Sequence, residues 1–163
     1  MESLINEFKK FSDNIIELGH SIDDDRIELF ERKYNLKIPR DFRLLISKFN
    51  GLNLMGCEVY GFDKDKADSL ENVYYFEHFE VVEPQWSHLV PFSPDGGGNF
   101  YCLDTSRITK NETCPIVFWV SNFRYSDVDP PETVNMSFTE WANKVMIEWT
   151  LEDYNYDGSE KGA

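Results

Sequence analysis

The hydrophobic residues at the start of the chain recur at the period of a helix. They are separated by 4, 3, 4 and 3 residues, at Leu4, Phe8, Phe11, Ile15 and Leu18. This spacing places the whole set on one helix face, which packs on a core. The pattern predicts a single helix over this stretch, ended by Gly19.

Two further helices are predicted before residue 52. Ser21 and the acidic residues 23–25 are typical of a helix start, because serine caps free N–H groups and carboxylates complement the positive end of the helix dipole. This helix should cover about residues 22–34. Pro39 suits the first turn of a third helix, whose end is marked by Asn50 and Gly51.

After Cys57 the pattern becomes that of β-strands. Apolar runs and alternation predict strands over residues 58–62, 88–93, 100–104 and 115–120. Residues 94–99 contain three consecutive glycines and are predicted to form a hairpin turn with positive φ at several positions. Residues 68–79 fit either a short aromatic-rich helix or a pair of strands, and residues 127–133 fit a loop.

A last helix is predicted near the end of the sequence. Ser137 to Glu140 has the S-x-x-E pattern of a capping box before an apolar run, so the helix should cover about residues 138–151. Its buried stripe should hold Phe138, Trp141, Ala142, Val145 and Trp149.

The order of these elements indicates an α+β fold. N-terminal helices are followed by a strand-rich middle and a C-terminal helix, which favours a central mixed or antiparallel sheet flanked by helices. The 163 residues fit one domain, predicted over 1–152. Residues 153–163 are polar and acidic and are predicted to form a flexible tail.

The charge balance narrows the possible partners. There are 16 basic and 30 acidic residues, a net charge of −14, with a net charge of −8 in residues 57–104 alone. Nucleic acid and anionic membranes are therefore disfavoured, since both are held by Lys and Arg. Plain solubility is one explanation of the acidity, and attraction of a basic protein partner is the other.

Few residues suggest a catalytic, metal-binding or phosphate-binding site. Three cysteines without C-x-x-C spacing read as reduced thiols, which together with the absence of a secretory signal predicts a cytoplasmic protein. Three histidines lack the spacing of a zinc site, and residues 95–99 lack the lysine of a phosphate-binding loop. We therefore predict no catalytic residue, no metal and no cofactor, with a small hydrolase as one alternative.

Aromatic residues within the acidic segments predict a binding surface. Exposed rings surrounded by carboxylates would suit a basic protein partner, and would also permit a weak homodimer of an otherwise monomeric chain. The candidate partner-binding residues on the sheet region are Glu58, Tyr60, Asp63, Asp65, Asp95, Asn99 and Tyr101.

An ordered set of motifs resembles a known family. The set comprises E-x-x-Y at 31–34, I-P-x-D-F at 38–42, N-G at 50–51 and D-G-G-G-N-x-Y-x-L-D at 95–104. It is similar to the SUKH superfamily, which includes the Smi/Knr-type cell-wall synthesis regulators, and the resemblance covers about residues 20–150.

The resemblance implies an α+β fold and a role in protein binding without catalysis. Many bacterial members are immunity proteins that bind and neutralise toxin domains, often nucleases, whereas fungal members are regulators or scaffolds. It favours an immunity protein that binds a basic toxin domain, with an intracellular regulatory scaffold as the alternative. The family has no catalytic set to transfer to this sequence.

Overall fold

The structure, a computed structural model, describes residues 1–162. Its helices are α1 (Glu2–Phe8), α2 (Asp24–Tyr34), α3 (Arg40–Lys48), α4 (Leu70–Phe79), α5 (Phe138–Trp141) and α6 (Trp149–Asp153), and a π-helical segment (Ala142–Glu148) joins α5 to α6. A short 3₁₀ turn covers Thr105–Arg107. The strands are β1 (Ile16–Leu18), β2 (Leu52–Leu54), β3 (Cys57–Val59), β4 (Leu89–Pro94), β5 (Phe100–Asp104), β6 (Ile116–Trp119) and β7 (Glu132–Asn135).

The strands form two antiparallel sheets. One has the order β1-β2-β3 and the other β4-β5-β6-β7, so every paired strand neighbours the next strand in sequence. The amide of Tyr60, just after β3, donates to the carbonyl of Phe92 in β4 at 2.8 Å and links the two sheets. The predicted α+β fold with an antiparallel sheet and a C-terminal helix is confirmed.

Aromatic side chains from three elements meet in the core. Phe42 of α3 packs edge-on against Phe92 of β4 and Phe138 of α5, with ring centroids 5.6 and 5.0 Å apart. Asp41 beside it is buried, and its carboxylate accepts a hydrogen bond from the amide of Thr139 at 3.1 Å. The I-P-x-D-F motif therefore joins the start of α3 to the start of the last helix.

The prediction of one helix up to Gly19 is wrong beyond Phe8. Residues after α1 form turns, and β1 (Ile16–Leu18) pairs with β2. Ile16 is buried and Glu17 is exposed, which is the alternation of a strand. The helical spacing was misleading here, because the apolar residues Ile15, Ile16 and Leu18 fit a helix and a strand equally well. The strand forms because this segment pairs with β2, which is distant in sequence.

Other local predictions were partly right. Residues 68–79 contain a helix, α4, capped by Ser69, whose hydroxyl accepts from the amide of Asn72 at 3.3 Å. Ser21 is not the cap of α2, since Asp23 occupies that position without a side-chain bond. Strand β2 was missed, and β7 begins inside the predicted loop.

The last helix changes register in its middle. The capping box forms as predicted, with Ser137 accepting from the amide of Glu140 at 3.1 Å. Trp149, however, is 56% exposed, and Met146 and Thr150 are buried instead. The π-helical segment explains the error, because its wider turns rotate the following residues relative to an α-helix.

The segment after residue 153 lies against the N-terminal region. Tyr156 packs on Phe11 with centroids 4.8 Å apart, its hydroxyl donates to the carboxylate of Glu7, and its carbonyl accepts from the amide of Ser12 at 2.7 Å. These contacts define a place for residues 153–162. That this tail is flexible stays a prediction. Ala163 lies outside the described residues.

Asn50, at the end of α3, is held between two glycines. A Cβ on Gly19 would lie 2.2 Å from the carbonyl oxygen of Asn50, and a Cβ on Gly61 would lie 2.5 Å from that oxygen. The amide of Asn50 donates to the carbonyl of His20 at 2.7 Å, and its Oδ1 accepts from the amide of Phe62 at 2.6 Å. The chain before α2, the end of α3 and the chain after β3 therefore meet at Asn50.

We expect Gly61→Ala to lower the free energy of unfolding by about 1–3 kcal/mol, because the added methyl group meets backbone atoms that cannot move aside. Gly97→Ala is the matched control. A Cβ at Gly97 would be 3.4 Å from the Asp95 side chain, an ordinary contact. Urea unfolding of both variants checks the prediction, and equal midpoints would contradict it.

Candidate functional site

A groove lined by carboxylates lies beside Asn50. It encloses about 380 Å³, and its lining includes Gly19, Asn50, Gly51 and Gly61. We call it the acidic groove. Its acidic side chains are Glu17, Glu58, Asp63 and Asp68, and Lys66 and His20 also line it. Four carboxylates face one lysine, so the groove is negative.

The pKa of Glu58 shows this electrostatic environment. Partial burial raises the pKa of its carboxyl group, and repulsion from Asp68 and Glu17 adds to the effect, while Lys66 acts in the opposite direction. Like charges at short range repel, and a cation placed in the groove would relieve that repulsion.

A second concavity lies between α4 and the sheets. We call it the aromatic hollow; it encloses about 610 Å³ and is lined by Tyr60, Ala67, Asp68, Asn72, Val73, Tyr75, Phe76, Glu77, Glu80 and Phe100. Tyr75 and Phe76 are 48% and 51% exposed. Asp68 borders both concavities, so they are neighbours. The aromatic hollow is lined by three carboxylates and by no Lys or Arg.

Glu77 is the most unusual residue of the aromatic hollow. It is only 5% exposed, yet within residues 1–162 its carboxylate has no hydrogen bond and no ion pair. Burial raises the pKa of this carboxyl group. The nearby Tyr60 hydroxyl also has a raised pKa, through burial first and then through the charges of Glu58, Asp68 and Glu77.

The structure brings only some of the predicted partner-binding residues together. Glu58 and Asp63 line the acidic groove, and Asp65 is exposed in the turn between β3 and α4. Tyr60 lines the aromatic hollow, but at 6% exposure it offers a partner little of its ring. Tyr101 is half-buried against Phe118 and Trp141. A role of these residues in binding stays a prediction.

Asp95 and Asn99 have a structural task in the glycine-rich turn. One oxygen of Asp95 accepts from the amides of Gly97 and Asn99 at 2.7 and 2.9 Å. The side-chain oxygen of Asn99 accepts from the amide of Ser121 at 3.0 Å and so holds the loop after β6. Gly96 and Gly98 have φ of 79° and 94°, as predicted for this turn.

Sequence reasoning missed Asp68, Tyr75, Phe76 and Glu77 as site residues. All four lie in residues 68–79, for which helix and strand were both open. Only the helix α4 explains why Glu77 is buried while Tyr75 and Phe76 are exposed. The one sequence signal for this helix was Ser69, which caps its start.

The thiols are poorly suited to reaction. Burial raises the pKa of Cys57 to about 11, and burial also raises the pKa of Cys102 and Cys114. In the part of the chain that the structure describes, no group of three or more His, Cys, Asp or Glu side chains could hold a metal ion. No helix among residues 1–162 has the length and apolar character needed to cross a membrane.

Comparison with known proteins establishes the family. Residues 1–147 match the family model SUKH_5, described as SMI1-KNR4 cell-wall. This match covers most of the chain, and the protein therefore belongs to the SMI1-KNR4 (SUKH) family, as the motifs indicated. No curated protein matches the chain.

A solved structure supports the fold. The crystal structure of a protein from Pseudomonas syringae pv. tomato superposes with a TM-score of 0.65 at 16% sequence identity, covering 91% of this chain and 99% of that chain. At this identity the similarity concerns the fold alone.

We expect Glu77→Gln to stabilise the protein at neutral pH. The folded state raises the pKa of Glu77 above its ordinary 4.5, so the charged form is destabilised on folding. That cost is complete above the folded-state pKa, declines as the pH falls through it, and disappears below the unfolded value. A gain of about 1 kcal/mol would raise Tm by about 2–4 °C at pH 7.

Thermal unfolding at pH 7 and pH 4 measures this effect. The gain should be present at pH 7 and small at pH 4. Glu80→Gln, at an exposed position of the same segment, is the control and should change Tm little at either pH. A lower Tm for Glu77→Gln at pH 7 would show that the carboxylate stabilises the fold.

Proposed function

We propose that this protein is a non-catalytic protein-binding domain that acts as an immunity protein, neutralising a basic, nuclease-type toxin domain. One observation carries the proposal: the acidic groove and the aromatic hollow adjoin and together present six carboxylates against one lysine. Family membership supports binding without catalysis.

The charge of the surface fits such a partner. A nuclease holds the phosphates of its substrate with Lys and Arg, and so presents a basic face. An acidic protein that covers this face competes with nucleic acid for the same groups. Opposite charges also steer the two proteins together, and the association rate then falls with increasing salt.

A regulatory scaffold is the second candidate. The description of the matching family refers to the cell wall, and a scaffold would use the same acidic surface for a resident partner. A scaffold would bind proteins that are not toxic on their own, whereas an immunity protein protects cells from a partner that is.

The same surface bears on self-association. Two copies facing each other through the acidic groove would bring like charges together, which opposes dimerisation at this face. We propose a monomer in the cytoplasm that binds its toxin one to one.

We expect the combined variant Glu58→Lys, Asp63→Lys and Asp65→Lys to weaken partner binding by at least about tenfold, because it reverses the charge of the acidic groove and its border. The control reverses three exposed carboxylates that line neither concavity: Asp127, Glu148 and Glu152. The net charge of the two variants is equal.

The partner is captured with the wild-type chain, washed at low and high salt, identified, and titrated calorimetrically with each variant. Its expression in cells with and without the wild-type chain tests toxicity and rescue. A Kd unchanged in the groove variant, with its fold retained, would contradict the site. A captured partner that harms no cell would favour the scaffold.

A further inference from the structure

The largely buried side chain of Glu77 lines the aromatic hollow, and its carboxylate has no partner among the described residues. An ionised carboxylate removed from water is costly unless a cation or several hydrogen-bond donors compensate it. Glu77 is 5% exposed, and among the described residues neither a Lys, an Arg nor a hydrogen-bond donor serves it. By comparison, Glu71 on the same helix is paired with Lys33 at 2.8 Å.

The space in front of Glu77 is open to a ligand. The aromatic hollow encloses about 610 Å³ and is bordered by the rings of Tyr75, Phe76 and Phe100. Further carboxylates, Asp68 and Glu80, lie at exposed positions of its lining. A ligand entering here meets aromatic residues and the carboxylate of the largely buried Glu77.

These features select a guanidinium group among biological cations. Guanidinium is planar, donates two parallel hydrogen bonds to one carboxylate, and stacks on aromatic rings. It is also more weakly hydrated than an ammonium group, so its transfer into a partly apolar hollow costs less. A metal ion is a poor fit, since residues 1–162 contain no set of three suitable ligands in one place.

The surface beside the aromatic hollow suits a protein rather than a small molecule. Phe79 and Val82, at and just after the end of α4, are strongly exposed, and the rings of Tyr75 and Phe79 have centroids 5.2 Å apart. Exposed apolar residues that adjoin a charged recess are typical of an interface with a buried anchor.

We propose that the aromatic hollow receives one arginine side chain of the basic partner, whose guanidinium group pairs with Glu77 within the aromatic lining of the hollow. This inference rests on the proposed function and deepens it, since it names the residue type by which the partner is anchored. The acidic groove then attracts the partner, and the hollow holds it.

A small probe tests the hollow without any partner. L-Arginine amide and L-lysine amide are titrated into the full chain, followed by two-dimensional NMR of backbone amides. We expect arginine amide to bind in the millimolar range, to shift the amide signals of residues 75–77, and to bind better than lysine amide. Glu77→Gln should weaken the binding of arginine amide by at least about tenfold, and Glu148→Gln should leave it unchanged.

The captured partner provides the second readout. Glu77→Gln should raise its Kd by at least about tenfold. Each arginine of the partner is changed to lysine, and one of these changes should show a strong coupling energy with Glu77→Gln in a double-mutant cycle. Since Glu77→Gln is expected to stabilise the fold, lost binding cannot be ascribed to unfolding.

The outcomes separate this inference from the proposed function. Shifts spread over the whole surface, or equal binding of both amides, would overturn the arginine site. Coupling of Glu77 to a partner lysine, or a dimer that dissociates in Glu77→Gln, would overturn the assigned occupant. Loss of binding in the groove variant with an unaffected Glu77→Gln would retain the proposed function and reject the hollow. Specific binding of arginine amide, with no basic partner found, would retain the arginine site in the hollow and reject the proposed function.

Discussion

The close packing of Asn50 between Gly19 and Gly61 determines how the rest of the protein is arranged. The two glycines allow three chain segments to approach within a distance that no other residue permits. The first sheet, the end of α3 and the segment leading to α4 are thereby fixed relative to one another. Gly19, Asn50 and Gly61 all line the acidic groove, and the aromatic hollow adjoins it through Asp68, in the segment that leads to α4.

The acidic residues fall into two groups with different consequences for stability. Glu31 and Asp41 serve the fold: Glu31 accepts from the amide of Ile38 at 2.7 Å and pairs with Arg43 at 2.5 Å, while Asp41 accepts from Thr139. Glu58 and Glu77 instead have raised pKa values caused chiefly by burial. The first group explains why acidic residues occur in the family motifs. The second lowers stability at neutral pH, a cost that evolution tolerates where a surface must bind.

The elements that the sequence predicted correctly are those with a local signal. The capping box of Ser137 and Glu140 and the glycine-rich turn at 94–99 each contain the residues that bond to one another. Strands β1 and β2 have three residues each and depend on partners outside their own segments. The exposure of Trp149 depends on a change of helix type that no spacing of apolar residues reveals.

The residues of the candidate site also divide into those that the sequence indicates locally and those that depend on the folded structure. Charge counting located the acidic segment and hence Glu58 and Asp63. It could not distinguish an exposed carboxylate from one that is buried without a partner, because burial is a property of the folded chain. Glu77 therefore emerged only once α4 had been placed against the sheets.

The contact of Tyr156 with the N-terminal region has a consequence for the order of folding during synthesis. A ribosome releases α1 first and Tyr156 more than a hundred residues later, so Phe11 and Ser12 wait for their partners until nearly the whole domain has emerged. The β1–β2 pairing can form much earlier, because β2 ends at Leu54, far ahead of Tyr156 in the sequence. The region of α1 and Phe11 is thus among the last parts of this domain to complete its contacts, because those contacts require Tyr156.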